Sequence, residues 1–479
     1  MSKPGLERKL GLTALAATGI CSMIGASIHV VPFMIQKNVP GIGPWVTLAF
    51  LLAAIPASLA ALAYAALASA MPRAGGSYLF ASRGLSPFAG FIASFSQWFG
   101  LSIAIGVIAY IIPAFMRDFF MALDYPTIAS VLVSPIIRPI LAIGLLWTFV
   151  YVNILGVKSY AAILVPLMWL MFGSGIVAII AAIFPETKPS PSEFNHAIQT
   201  ISGGEFDLQI FLSAGAVLFA SFIGFDSIAQ AGGEAINPEK NLPRAIAWAI
   251  GGVTLFYVLF TLSVYHLIPW QYVAQESQTK DVTAPGLLSA VLPFGLTMII
   301  LAGATIALIN DLPGMILSVS RLLYAWGTDG IFPSCTARLH PQHNTPHVAI
   351  LLSGAMATVG ILGSHFAGSF FLGIDIMVTA MIINYLLMCL TLLTIRKRNA
   401  TLGSDVKLFS VGTQKLIGWV GTGCLIIFLL IHIIKDFTTD VGNWYFRSTW
   451  IYLMVMTAGA VIFFASVKNS KTDFKELPK

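Results

Sequence analysis

Thr18-Gly19-Ile20-Cys21-Ser22-Met23-Ile24-Gly25-Ala26-Ser27-Ile28-His29 interrupts, with small and polar residues, an apolar run over residues 10–35. That run is long enough to span a bilayer, which takes about 20 mostly apolar residues. Much later the chain repeats the defect as Ala220-Ser221-Phe222-Ile223-Gly224-Phe225-Asp226-Ser227. Backbone freed at membrane depth is tolerated only where it lines a cavity or is buried in protein. Small-residue helix packing accounts for one such break. Two breaks, in the first and sixth of twelve apolar segments, match a five-helix unit repeated with inverted topology, whose paired interruptions mark the binding site.

Composition agrees with a membrane setting. Of the 479 residues 57% are hydrophobic and only 10% charged, and mean hydropathy is +0.86. A soluble chain carries about 25% charged residues. The composition excludes a soluble enzyme, a disordered protein and a nucleic-acid binder. The net charge of +6 is spread over short loops rather than gathered into a patch. Cys21, Cys389 and Cys424 lie in apolar runs and Cys335 in a polar loop, so no structural disulfide is expected. Lys3, Arg8 and Lys9 precede the first run as in a signal peptide, but it breaks without a cleavage site and reads as a retained helix.

The predicted spans are 11–36, 44–70, 87–116, 137–156, 160–184, 209–236, 245–268, 289–325, 347–365, 369–395, 416–436 and 448–467. The fold class is therefore an all-α membrane protein with twelve transmembrane helices. It divides into a 1–10 cytoplasmic tail, an 11–395 transport core, a 396–415 cytoplasmic loop, helices 11 and 12 over 416–467, and a 468–479 cytoplasmic tail. With both termini inside, only Lys37, Arg117, Arg138, Lys188, Lys280, Lys435 and Arg447 of the 26 Lys and Arg lie outside. That asymmetry obeys the positive-inside rule and orients the chain, led by Arg396-Lys397-Arg398. The expected location is the cell membrane, multi-pass.

The breaks suggest their own chemistry. A half-helix starting after Gly25 points free N–H groups and a positive dipole end at a carboxylate. Half-helices ending near Met23 and Ile223 present carbonyls to an ammonium group or a cation. One site with both features favours a zwitterion. Asp226, Asp311 and Asp375 also fall within apolar runs. A carboxyl there costs at least ~2.5–3.5 kcal/mol at a helix centre, which makes each a site candidate. Asp375, near the start of its span, equally fits a hydrogen-bonded helix end. Asp311, Met315 and Ser318 share one helical stripe. Asp226 and Asp311 are candidate proton carriers with His29 as a third titrating group. Two alternatives stand beside this: a cationic substrate supplies the missing charge, or Asp226 fixes the broken helix by hydrogen bonds.

Four motifs give the chain a resemblance to the amino acid–polyamine–organocation transporters over most of residues 7–350. They are Glu7-Arg8-Lys9-Leu10-Gly11-Leu12 with Ile24-Gly25-Ala26-Ser27-Ile28, and Met71-Pro72-Arg73-Ala74-Gly75-Gly76-Ser77-Tyr78. The third joins the 222–226 stretch to Asn237-Pro238-Glu239-Lys240-Asn241-Leu242-Pro243-Arg244-Ala245-Ile246. The last is Ser320-Arg321-Leu322-Leu323-Tyr324-Ala325, then Asp329-Gly330-Ile331-Phe332-Pro333 and Thr345-Pro346-His347-Val348-Ala349. The resemblance implies a LeuT-type 5+5 inverted repeat with broken helices 1 and 6 and alternating access. It implies a substrate carboxylate on the amides of Ala26 and Ser27, and an amine on the carbonyls of Met23, Ala220, Ser221 and Ile223. The full expected contact set is Ser22, Met23, Gly25, Ala26, Ser27, Ala220, Ser221, Phe222, Ile223, Gly224 and Met315. The coupling set is Asp226, Asp311, His29 and Ser318.

Three departures from the family pattern bear on specificity. Ser27 replaces the usual glycine, His29 the usual aromatic, and Ala220 a bulky lid aromatic. The helix 5 lysine that stands in for sodium in many relatives is missing from residues 160–184. Residues 117–136 hold no cysteine for a disulfide-linked heavy chain. The expected function is secondary active transport of amino acids, by proton-coupled symport or exchange. The alternatives are an amine or polyamine carrier or antiporter of the same superfamily and, more distantly, a membrane-embedded enzyme or channel subunit. No His-Glu-x-x-His pair, Gly-x-Ser-x-Gly elbow or P-loop is present. His340, His343 and His347 read as loop residues rather than metal ligands, and Trp98, Trp169 and Trp444 as core or interfacial anchors. No cofactor or metal is expected; the partners are a small amino-acid or amine substrate and the bilayer.

Overall fold

The computed structural model describes residues 6–183, 192–279, 281–367, 370–438 and 447–469. Lys3, Lys188, Lys280, Trp444 and the tail beyond residue 469 lie outside them. Every element of regular structure among the described residues is helical. The first apolar run is in three pieces, α1 (Leu12–Cys21), α2 (Ala26–His29) and α3 (Val31–Asn38). Then come α4 (Val46–Ala70), α5 (Gly76–Gly84), α6 (Pro87–Ala122), α7 (Pro126–Leu132), α8 (Ile137–Ile154), α9 (Val157–Ile183) and α10 (Ser192–Thr200). The second broken stretch is α11 (Leu208–Leu218), a 3-10 turn at Phe219–Phe222, α12 (Asp226–Gln230) and a 3-10 turn at Ala231–Glu234. It leads into α13 (Pro238–Leu267), α14 (Trp270–Thr279), α15 (Ala284–Leu288), α16 (Phe294–Thr328) and α17 (His347–Ala367). The chain closes with α18 (Phe370–Arg398), α19 (Ala400–Asp405), α20 (Val411–Thr438) and α21 (Ser448–Asn469).

Taking Leu208–Glu234 as one span, eleven helices are long and apolar enough to cross a membrane, and Leu12–Cys21 is a shorter apolar helix. Helix starts follow local chemistry. Ser86 accepts from the Ala89 N–H at 3.1 Å ahead of Pro87, and Asp207 accepts from Ile210 N–H at 2.8 Å. Burial separates inner from outer helices. The apolar window of α6 is 78% buried and that of α18 is 72%, against 28% for α8 and 33% for α9 and α21. Outer faces are apolar as well: Trp169, Leu416 and Trp419 are each more than 60% exposed. An outward face this apolar suits lipid and not water.

Three readings of the sequence need correction. The first run breaks twice, because Val30 leaves helical geometry ahead of Pro32. The stretch after segment 2, read as an inner loop, holds the buried helix α5. Arg321, counted from the sequence with the inner-side cations, lies within α16, which continues past the predicted span to Thr328. It is 1% exposed, inside the helix, and pairs in two-pronged fashion with Glu234, Nη2 to Oε1 at 2.6 Å and Nε to Oε2 at 3.1 Å. The ion pair ties α16 to the end of the second broken stretch. Lys9 and Leu10 N–H groups donate to the Glu234 carbonyl at 2.9 Å, bringing in the start of the first run.

Removing one member of a buried ion pair costs about 3–5 kcal/mol, because the partner charge stays buried. Arg321→Ala should therefore lower the thermal midpoint strongly in detergent. The double variant Glu234→Leu/Arg321→Met should recover most of the loss. Equal midpoints for the single and double variants would show that the pair is not the source of the effect.

Candidate functional site

The two breaks meet each other. Ser22 Oγ donates to the Thr18 carbonyl at 2.7 Å, competing with the backbone as α1 ends in a tight turn. In the second break Ile223 is extended and Gly224 has φ of +140°, a backbone state L side chains rarely adopt. A Cβ on Gly224 would run into the backbone of Ser22, so glycine sets the close approach of the two unwound segments. Likewise a Cβ on Gly25 would run into the Asp311 carboxyl. Glycine there lets α16 press its acid against the first break.

Between these segments lies a small cavity of about 20 Å³, near the ≈10–15 Å³ that a single water centre needs. Its walls are Ser22, Ser27, Val31, Ile108, Ala220, Ile223, Asp311, Met315, Ile374 and Met377. Six of the residues expected from the sequence therefore share one wall: Ser22, Ser27, Ala220, Ile223, Asp311 and Met315. Asp311 is 2% exposed, and its Oδ1 has no hydrogen-bond partner. A buried acceptor without a partner, on a residue that lines a cavity, is a place for a donor.

Met23, Gly25, Phe222 and Gly224 lie in the breaks but not on the cavity wall, and the Ala26 backbone begins α2. His29 is 2% exposed and set edge-on to Phe260 at 5.4 Å, with Nδ1 unpartnered. Ser318 is fully buried, also unpartnered and away from the cavity. Asp375 is half-buried. The rings of His340 and His343 stack at 4.7 Å, but no group of three His, Cys, Asp or Glu among the described residues is arranged for a metal.

Asp226 sits away from the cavity in a dense hydrogen-bond network. Its Oδ1 accepts from Tyr385 Oη at 2.6 Å and from the Gly224 N–H at 3.2 Å, while Oδ2 accepts from Gln97. Gln97 in turn accepts from Ser77, from Gln230 at 3.0 Å and from Asn384 at 3.4 Å, and Asn384 donates to Tyr64 at 2.7 Å. The network joins α4, α5, α6, α12 and α18 around the second break. Both carboxylate oxygens are engaged, so the geometry matches a carboxyl that fixes the broken helix.

Sequence reasoning missed Tyr257. Its hydroxyl lies on the Met23 carbonyl of the first break and, at 2.9 Å, on the Ser221 carbonyl of the second. These are two of the carbonyls expected to receive an amine. A tyrosine hydroxyl in mid-membrane requires a partner, which was the available signal. Gln97, Asn384 and Tyr385 carried the same signal, unread because only ionisable residues were sought. Val31, Ile108, Ile374 and Met377 are ordinary apolar residues and carried none.

A family model described as amino acid permease matches residues 10–461. The chain belongs to the amino acid permease family. It is similar to the branched-chain amino acid permease BcaP of Bacillus subtilis, 26% identical over 372 residues covering 75% of each chain. BcaP of Lactococcus lactis is 29% identical over 367 residues, 74% of this chain and 75% of its own. Cationic amino acid transporter 4 of Mus musculus is 26% identical over 372 residues, 74% of this chain and 55% of its own. This permease is thus a multi-pass amino-acid transporter of the amino acid–polyamine–organocation superfamily and not an enzyme. In the permease, Tyr257→Phe leaves a buried carbonyl without its donor. It should lower stability by roughly 1–3 kcal/mol and reduce uptake, read by thermal unfolding and labelled amino-acid flux. Wild-type values in both assays would mean that the hydroxyl does not hold the breaks together.

Proposed function

We propose that the permease is a secondary active transporter working by alternating access, with twelve membrane helices in a LeuT-type pair of inverted five-helix repeats. In this reading α1 to α3 form the twelfth span, both termini are cytoplasmic and the chain resides in the cell membrane. The observation that carries it is the cavity where both unwound segments and the open Asp311 carboxyl meet. The substrate carboxylate is held by the amides of Ala26 and Ser27 beside Ser22 and Gly25. The unwound carbonyls around Met23, Ala220, Ser221 and Ile223, flanked by Phe222 and Gly224, serve the amine once Tyr257 yields. Val31, Ile108, Ile223, Met315, Ile374 and Met377 make an apolar wall, which suits an aliphatic side chain of the kind named for the two bacterial relatives. The cavity in this closed state is smaller than any amino acid, so loading requires the breaks to part.

Asp311 is assigned the coupling proton, because it lines the cavity and keeps one carboxylate oxygen without a hydrogen-bond partner. Asp226, with both oxygens occupied, positions the broken helix; His29 and Ser318 are secondary members of the coupling set. A second reading rests on the same carboxyl: Asp311 pairs with a cationic side chain, as suits the name of the mouse relative.

Purified protein in proteoliposomes should take up leucine, isoleucine or valine saturably, faster with acid outside. An absence of saturable flux across amino acids and amines, under proton and sodium gradients alike, overturns the assignment. Asp311→Asn should abolish stimulation by acid while retaining substrate exchange, whereas Asp226→Asn should lower stability and flux together. Intact acid stimulation in Asp311→Asn removes the proton role. Selective loss of lysine or ornithine transport would make Asp311 the specificity residue.

A further inference from the structure

At the face of the molecule that carries the N-terminal segment, a second cavity of about 360 Å³ is lined by Arg8, Arg73, Arg83, Tyr78, Thr328 and Asp329, among others. That volume lies within the about 300–1,000 Å³ of small-ligand clefts. Its walls come from the N-terminal segment, the 72–74 loop, α5, the Gly233 turn and the end of α16.

The loop is built into place and not draped over the surface. Gly75 has φ of +86°, and Gly232 and Gly233 leave room for its backbone. A Cβ on Gly232 would lie 2.8 Å from the Arg73 carbonyl oxygen, and one on Gly233 would lie 3.1 Å from Ala74 Cβ and 3.3 Å from Leu6 Cδ1. The three guanidiniums thus reach the cavity from three separate segments. Arg83 is held with a side chain only 7% exposed, its Nη1 3.7 Å from Asp329 Oδ2, and Tyr78 donates to that same oxygen at 2.9 Å. Arg8 and Arg73 are exposed at the rim.

Three guanidiniums and one carboxylate line this cavity, so its formal charge is that of a dication. Guanidinium forks match the oxygens of a phosphate in two-pronged fashion, and a phosphate monoester carries about −1.5 to −2 at neutral pH. A single carboxylate would neutralise only half of that charge. We propose that this cavity binds a phosphate-bearing anion through Arg8, Arg73 and Arg83. The ligand bridges the N-terminal segment, α5 and the vicinity of α16, so it stabilises their contact. This site is separate from the Asp311 cavity, and binding is read without any transport step.

The shared chemistry has two sources, a free phosphate or an anionic lipid headgroup, and the test has one arm for each. The full chain in phosphatidylcholine nanodiscs is titrated with inorganic phosphate and pyrophosphate, followed by calorimetry and thermal unfolding. Parallel nanodiscs contain phosphatidic acid, whose headgroup is a phosphate monoester. The variants are Arg8→Gln and Arg73→Gln, both at exposed positions, with the equally exposed Lys415→Gln as a control outside the cavity. Loss of one charge-assisted contact should weaken binding about tenfold or more. Soluble-anion binding weakened by Arg8→Gln or Arg73→Gln and untouched by Lys415→Gln supports a free phosphate. Stabilisation by phosphatidic acid alone, with the same variant pattern, supports a lipid headgroup. Losses equal to those of Lys415→Gln, or no response to either anion, overturn the proposal.

Discussion

Backbone that leaves its helix inside an apolar interior must find every hydrogen bond within the protein, because lipid supplies none. The rest of this structure follows from how that demand is met at two places. At the first break Ser22 turns back on Thr18, and Tyr160 donates to Thr18 Oγ1 at 2.9 Å. At the second, Asp226 takes the Gly224 N–H. Tyr257 reaches both. Glycines at 25 and 224 remove the side chains that would hold the breaking segments apart from α16 and from each other.

The same demand explains the division of labour between the two buried acids. Asp226 is surrounded by donors from several helices, which occupy both of its oxygens and tie those helices to the second break. Asp311, a residue of the cavity wall, is left with one oxygen unpartnered. An acid with all its acceptors filled has a structural assignment available, and one with a vacancy does not. Further along α16, Arg321 and Glu234 close off the far end of the second broken stretch with a charge pair where a neutral contact would serve for stability alone.

Much of the fold was legible because length and hydropathy are read residue by residue. Eleven of the spans reappear as long apolar helices, and both breaks lie at the quoted residues. Six of the ten wall residues were named from the sequence too, because they lie in the breaks or on the stripe of Asp311. The remainder was not, for two different reasons. Ile108, Ile374 and Met377 look like any lipid-facing residue, and only the packing of α6 and α18 brings them to the cavity. Arg321 misled because a cation near the end of an apolar run is ordinarily a loop marker, and only the partner Glu234, 87 residues earlier, permits it inside.

The hydroxyl of Tyr257 has one proton and two carbonyls in reach. Whichever carbonyl takes that proton, the other meets only an oxygen lone pair. The weld between the two broken segments at this point therefore has the strength of one hydrogen bond, about 0.5–1.5 kcal/mol net, although it is drawn with two. Unlike the bidentate ion pair further along, such a fastening can be undone by thermal motion and remade. In the proposed mechanism a substrate ammonium group, with three protons to donate, takes both carbonyls and releases the phenol. The seam is thus held by less than the Arg321–Glu234 pair, which has two charge-assisted contacts.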